Sequence, residues 1–137
     1  MKKITSIEHA LEVLGQQIAF DKMPDALRSL GFPERDLIPK VDISKIEKII
    51  EGNNVLNGNW KADWNNSRQG KYCVWQYVKK MIDKPSGFGF ADSLYDLWLT
   101  HTHVGERLLV GSAEEAIYIG TDFIELFESA WLIIPEK

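Results

Sequence analysis

The feature that most constrains this chain is an apolar stripe near its end. Ala116, Ile117, Gly120, Phe123, Ile124, Phe127 and Trp131 recur at helical spacing and fall on one side. Ser112-Ala113-Glu114-Glu115 precedes them with the spacing of a capping box, and Pro135 stops the run. The pattern predicts one long amphipathic helix. Acids dominate its outward face: Glu114, Glu115, Asp122, Glu125 and Glu128. Such a stripe needs an apolar surface to cover, so the preceding chain must supply one.

Lys71–Lys80 reads as a strand, with Tyr72, Val74, Gln76 and Val78 on one face and Cys73, Trp75, Tyr77 and Lys79 on the other. Both faces are largely apolar, so the strand is either covered twice or lines a site on one side. Pro85-Ser86-Gly87 breaks the chain. A second strand follows within Phe88–Thr100, centred on Leu94–Leu99, and Gly105 precedes a third, Glu106–Val110. Short segments joined by turns favour an antiparallel meander.

The first third is helical. Thr5-Ser6-Ile7-Glu8 has capping-box spacing, and Gly15 ends the helix it opens. Pro24–Leu30 forms a second short helix closed by Gly31. Pro33 and Pro39 leave Phe32–Pro39 as a connector. Asp42 or Ser44 caps a third helix, loosened at Gly52-Asn53-Asn54 and resuming through Leu56. The expected class is therefore α+β: N-terminal short helices, then a three-stranded antiparallel meander covered by a long C-terminal amphipathic helix. Residues 1–137 are expected to form a single domain, with an N-terminal helical part at 1–40 and the core at 41–137.

Three of the five tryptophans fall inside Asn57–Tyr77, among Gly, Asn, Asp and Lys. That tract is also basic: residues 58–84 carry six Lys/Arg against two acids, while residues 85–137 carry two against nine. Cys73 is the lone cysteine, which excludes an internal disulfide and fits a reducing compartment. Met1-Lys2-Lys3 leads into polar residues without an apolar signal core, and no run approaches a membrane span. A cytoplasmic location is expected, with no membrane partner.

Several motifs recur in order: Trp60-x-x-Asp63-Trp64, Lys71-Tyr72-x-x-Trp75, and Gly87-Phe88-Gly89-Phe90-x-Asp92-Ser93. Val104-Gly105-x-Arg107-Leu108 and Ser112-x-Glu114-x-Ala116…Gly120-x-x-Phe123 complete the series. In these the chain resembles a family of small uncharacterised proteins encoded by bacterial phages and integrated mobile elements. It departs from the family where Ala62 and Val74 stand in place of prolines. The resemblance implies context and shape but no activity, cofactor or catalytic residue.

Two readings of Trp60 and Trp64 stand side by side. With Lys61, Arg68 and Lys71 they can stack a base or sugar, as single-strand binders do. Equally, both indoles can plug into the core and pin an irregular loop. Asp63 between them suits a turn former. His101 and His103, two apart in extended chain, are weak metal candidates, with Asp92 or Asp96 as a third ligand. The Gly87–Phe90 segment lacks the helix that a dinucleotide fingerprint requires and reads as a tight turn. Arg107 can hold a phosphate or carboxylate, or pair with neighbouring acids. No catalytic triad signature accompanies Ser93, Ser112 or Cys73.

The chain thus reads as a non-enzymatic protein-interaction module with no cofactor and no assigned metal. Its candidate binding residues are Trp60, Trp64, Lys71, Trp75, Tyr77 and Arg107. The alternatives are single-stranded nucleic-acid binding through residues 57–84 and a metal-dependent enzyme using His101 and His103.

Overall fold

Helix α3 (Glu34–Leu56) is the member on which the first two helices and the last one pack. Before it come α1 (Ile7–Leu14), a 3-10 turn at Phe20–Lys22 and α2 (Met23–Ser29); after it come strands β1 (Lys71–Lys80) and β2 (Phe88–Trp98), then α4 (Ala113–Asp122) and α5 (Ile124–Trp131). The computed structural model describes residues 1–80, 83, 88–98 and 108–132, with the side chains of 77–80, 88 and 90–98 outside that description. Among the described residues the chain mixes helix and strand and is mostly helical.

Local signals place α1 well. Gly15 closes it in the left-handed conformation (φ 65°), and the Gly15 and Gln16 amides return to the carbonyls of Glu12 and Leu11. The N-cap is Ser6, one residue later than the expected box. Its Oγ accepts from the His9 amide at 3.0 Å, and Thr5 instead donates its amide to the His9 ring.

Helix α3 departs most from expectation. It starts at Glu34 behind Pro33, not at Asp42 or Ser44, and it runs through Pro39. Pro39 lies near the helix start, so its missing N–H forfeits one bond, to the Arg35 carbonyl of the exposed first turn. Burial of Leu37 and Val41 on the same stretch offsets that loss. The helix also crosses residues 40 and 41, the expected seam between the two parts of the chain. Nor does it loosen at Gly52. A Cβ there would lie 3.1 Å from Ala10 Cα and Cβ, so glycine lets α1 and α3 approach backbone to backbone.

β1 and β2 form an antiparallel hairpin, from Lys71 opposite Trp98 to Lys80 opposite Phe88, with a register irregularity between Gln76 and Val78. β2 begins earlier than the expected Leu94 and takes in Phe88–Phe90, the expected tight turn. The three-stranded meander is not supported. On the far edge of β1, Tyr72 and Val110 exchange two backbone hydrogen bonds (3.0 and 2.8 Å), and among the described residues this single bridge is all that stands for the third strand. Glu106 and Arg107 lie outside the described residues.

The terminal helix is two helices. Gly120-Thr121-Asp122, weak helix formers in succession, bring α4 to a stop at Phe123 (φ −113°, ψ 26°), and α5 restarts in a new direction. α4 then packs on both strands while α5 packs on α3, so the break divides the covering task. The buried side is also rotated from the expected stripe. Glu115, Ala116, Ile119, Gly120, Phe127 and Ala130 are buried, whereas Ile117 and Trp131 are exposed. Ile4 joins this core with Ile46, Ile49, Ile50 and Val110.

Candidate functional site

The end of α3 is a polar latch. Asn53, fully buried, donates its amide to Glu115 Oε1 at 3.0 Å. The other carboxylate oxygen of Glu115 accepts from Ser112 Oγ at 2.6 Å, and Ser112 Oγ in turn accepts from the Glu115 amide. Glu115 was expected on the outward acidic face. It is only 7 % exposed, because the capping box folds it back onto α3. Asn54 donates to the Leu109 carbonyl at 2.8 Å. Asn57 pairs twice with the Lys2 backbone, at 2.7 and 2.8 Å. Three asparagines on one helix end thereby fix the N-terminal segment, the approach to α4 and the start of the aromatic loop.

That loop follows from the latch. Asn59 sits at φ 55°, where asparagine is tolerated, and the Trp60 amide returns to the Asn54 carbonyl at 2.9 Å. The half-buried indole of Trp60 lies over Gly111, where a Cβ would meet its ring at 2.9 Å. Asp63 Oδ1 accepts from the Asn65 amide at 3.0 Å, the turn-forming role expected of it. Gln69 ties the two limbs by accepting from the Asp63 amide and donating to the Lys61 carbonyl.

Lys71 lies at the centre. It is 0 % exposed; its Nζ donates to the carbonyls of Asn66 (3.3 Å) and Gln69 (3.2 Å) and lies 5.0 Å from the Trp64 ring centre. Carbonyl dipoles and an indole face replace the water that an ammonium would otherwise require. Lys71 was expected to face a ligand; it faces its own loop instead. Trp64 serves it as a partner and is half-buried.

Two of the grooves among the described residues adjoin these elements. The first holds about 470 Å³ beside the latch and is lined by Glu47, Lys48, Glu51, Asn54, Val55, Asn59, Trp60 and Lys61. Its two carboxylates and two ammonium groups balance, and Lys48 already pairs with Glu51 at 3.0 Å.

The second holds about 320 Å³ between β1 and α5 and is apolar apart from one amide: Ile50, Cys73, Val74, Gln76, Leu108, Phe127 and Trp131. The Gln76 amide donates to the Gly120 carbonyl at 3.0 Å. Trp131 is 46 % exposed and stacks on Phe127 with ring centres 5.7 Å apart. Trp75 is 49 % exposed, and the strand pleat sets it beside Cys73 on one face of β1. Cys73, 7 % exposed, lines the groove, as do Val74 and Gln76, whereas Trp75 is not among its lining residues.

Of the expected site residues, Trp60, Trp64 and Lys71 gather in the loop, while Trp75 stands apart from them, half-exposed on β1. The Tyr77 side chain, Arg107, His101 and His103 lie outside the described residues. Trp131 and Phe127 were read as core. Their spacing of four along a helix gave no sign that one of them reaches water, since the break at Phe123 sets that orientation.

Among the described residues no group of three or more His, Cys, Asp or Glu side chains could hold a metal, and no helix is long and apolar enough to cross a membrane. The chain matches no protein-family profile, no curated protein and no solved structure.

Proposed function

We propose that this chain is a non-enzymatic protein-interaction module of the kind encoded by bacterial phages and integrated mobile elements, acting in the cytoplasm. Its docking site is the apolar groove between β1 and α5. The observation that carries this reading is the half-exposed Trp131, stacked on Phe127 in an apolar groove that Cys73, Val74 and Leu108 also line. Exposed aromatics beside a desolvated pocket are where interface energy concentrates. A single indole in that role is worth about 2 kcal/mol or more, a factor of about thirty in affinity.

Single-stranded nucleic acid finds less to hold. Lys71 is engaged inside the loop, and Glu47 and Glu51 share the Trp60 groove with Lys48 and Lys61, which opposes a polyanion.

The test is a pulldown from host lysate with the intact protein and with the variant Trp131→Ala. Recovery of a defined partner by the first and its loss from the second is the expected result. Equal recovery by both removes the groove from consideration, as does fluorescence quenching by an oligonucleotide with no partner recovered.

A further inference from the structure

We infer that His9 is an acid-sensitive clasp on the opening residues, holding them to α1 only while its ring is neutral.

The hydrogen bonds fix where the ring proton sits. The Thr5 amide donates to His9 Nδ1 at 3.1 Å, and Thr5 Oγ1 lies 3.3 Å from the same atom. A backbone N–H can only donate, so Nδ1 presents its lone pair and the proton is on Nε2. Protonation of the ring puts an N–H at Nδ1, donor against donor with the Thr5 amide, and the clasp loses its acceptor. His9 also stands in the first turn of α1, three residues after the Ser6 cap, at the positive end of the helix dipole. The dipole opposes a cation there as well.

The surroundings give an imidazolium little in return. On α1, Glu8 and Glu12 are the carboxylates within a turn of His9, and both are exposed. The opening segment sets Lys2, Lys3 and the terminal amino group against them. Helix α3 packs on α1, and the charged groups of its second half are engaged elsewhere: Lys48 pairs with Glu51, Lys45 lies over the Phe20 ring, and Glu47 lines the groove beside Trp60. Helix α4 brings Tyr118, with Lys3 over its ring.

The clasp acts on a segment that ties distant elements together. Thr5 follows Ile4, which is fully buried and whose carbonyl accepts from the Tyr118 hydroxyl at 2.6 Å. Lys2 meets Asn57 through both its backbone groups. A contact that needs the neutral ring contributes above the histidine range and is lost as pH falls through it. Acid therefore loosens residues 1–5, lifts Ile4 toward solvent and releases Asn57 and Tyr118.

Amide exchange of the full chain at about pH 7.5 and about pH 5.5, with each rate divided by its intrinsic value, tests the clasp. The Thr5 and Lys2 amides are expected to lose about tenfold in protection at the lower pH, while Ile49 in the α3 core keeps its own. His9→Gln retains an acceptor without a titrating ring and is expected to flatten that difference; His9→Ala, with no acceptor, is expected to show the low protection at both values. Nitrogen NMR of the unaltered protein is expected to find Nδ1 unprotonated at the higher pH and to titrate with the same midpoint as the Thr5 protection, a comparison that needs no variant. A proton on Nδ1 at the higher pH overturns the inference, as does protection that ignores acid or follows a midpoint other than that of the ring. An equal loss in His9→Gln assigns the effect to carboxylates and overturns it too.

Discussion

The two ends of the aromatic tract are held in opposite ways. At its start, Trp60 and Trp64 are tied down by polar groups: the Asn54 carbonyl, the Gln69 amide clasp and the buried Lys71 ammonium. Farther along, Trp75 stands half in water on β1, as does Trp131 on α5. Residue types are similar in both places. What differs is the supply of nearby backbone dipoles. An irregular loop presents free carbonyls and N–H groups that organise rings around them, whereas a strand commits its own to the ladder and leaves the ring to find apolar cover. Tryptophan in the loop is architecture; on the strand and on α5 it is surface.

The sharpest way to break this contrast is to remove the latch. Asn53→Ala strands the Glu115 carboxylate in a buried site with Ser112 as its remaining side-chain donor. A loss of about 3 kcal/mol is expected, seen as a fall of about 10 °C in Tm. An unchanged Tm would show that the α3 end does not depend on its polar network. Gly111→Ala comes next. Its Cβ would intrude on the Trp60 indole, so the ring must swing away, costing about 2 kcal/mol and moving tryptophan emission to the red.

Lys71→Met probes the loop itself. It keeps the stem and removes the donor to the Asn66 and Gln69 carbonyls, for about 1 kcal/mol. Faster amide exchange confined to residues 61–70 is the expected signature, and uniform exchange would deny Lys71 its organising part. On the other side of the contrast, Trp75→Ala should change urea stability by less than about 1 kcal/mol, as befits a half-exposed ring. A larger loss would move Trp75 from surface to core.

The smallest effect is expected away from both regions, at the α2–α3 corner. Arg28 reaches Glu34 with two hydrogen bonds, at 2.9 and 2.7 Å, and these hold the Glu34 carboxyl below its ordinary value. The sign follows: a depressed folded value stabilises above the unfolded value, and the contribution is lost as pH falls through the folded one. Both groups are exposed, so Glu34→Gln should flatten only the acid limb of the stability profile, below the usual carboxylate range.

Much of the framework was legible in the chain because its signals are local. Gly15, Ser112 and the bounds of Lys71–Lys80 need only a few neighbours to act. Misreadings came where a distant partner decides. Gly52, Asn53 and Asn54 look like helix breakers by propensity, yet Ala10, Glu115 and Leu109 convert them into contacts. Pro39 looks like an end, yet burial of Leu37 and Val41 carries the helix past it. Lys71 looks like a surface cation because nothing in its strand announces that the loop curls over it. The exposure of Trp131 depends on the direction α5 takes after Phe123, which no periodicity encodes.

The opening residues have a consequence for handling this protein. Lys2 is paired with Asn57, the Tyr118 hydroxyl donates to the Ile4 carbonyl at 2.6 Å, and Ile4 itself is sealed in the core. A purification tag fused ahead of Met1 therefore abuts a structural rivet that joins segments more than fifty positions apart in the chain. Trimming even four amino acids there would be felt at α3 and α4 at once, long before any assay of binding was begun.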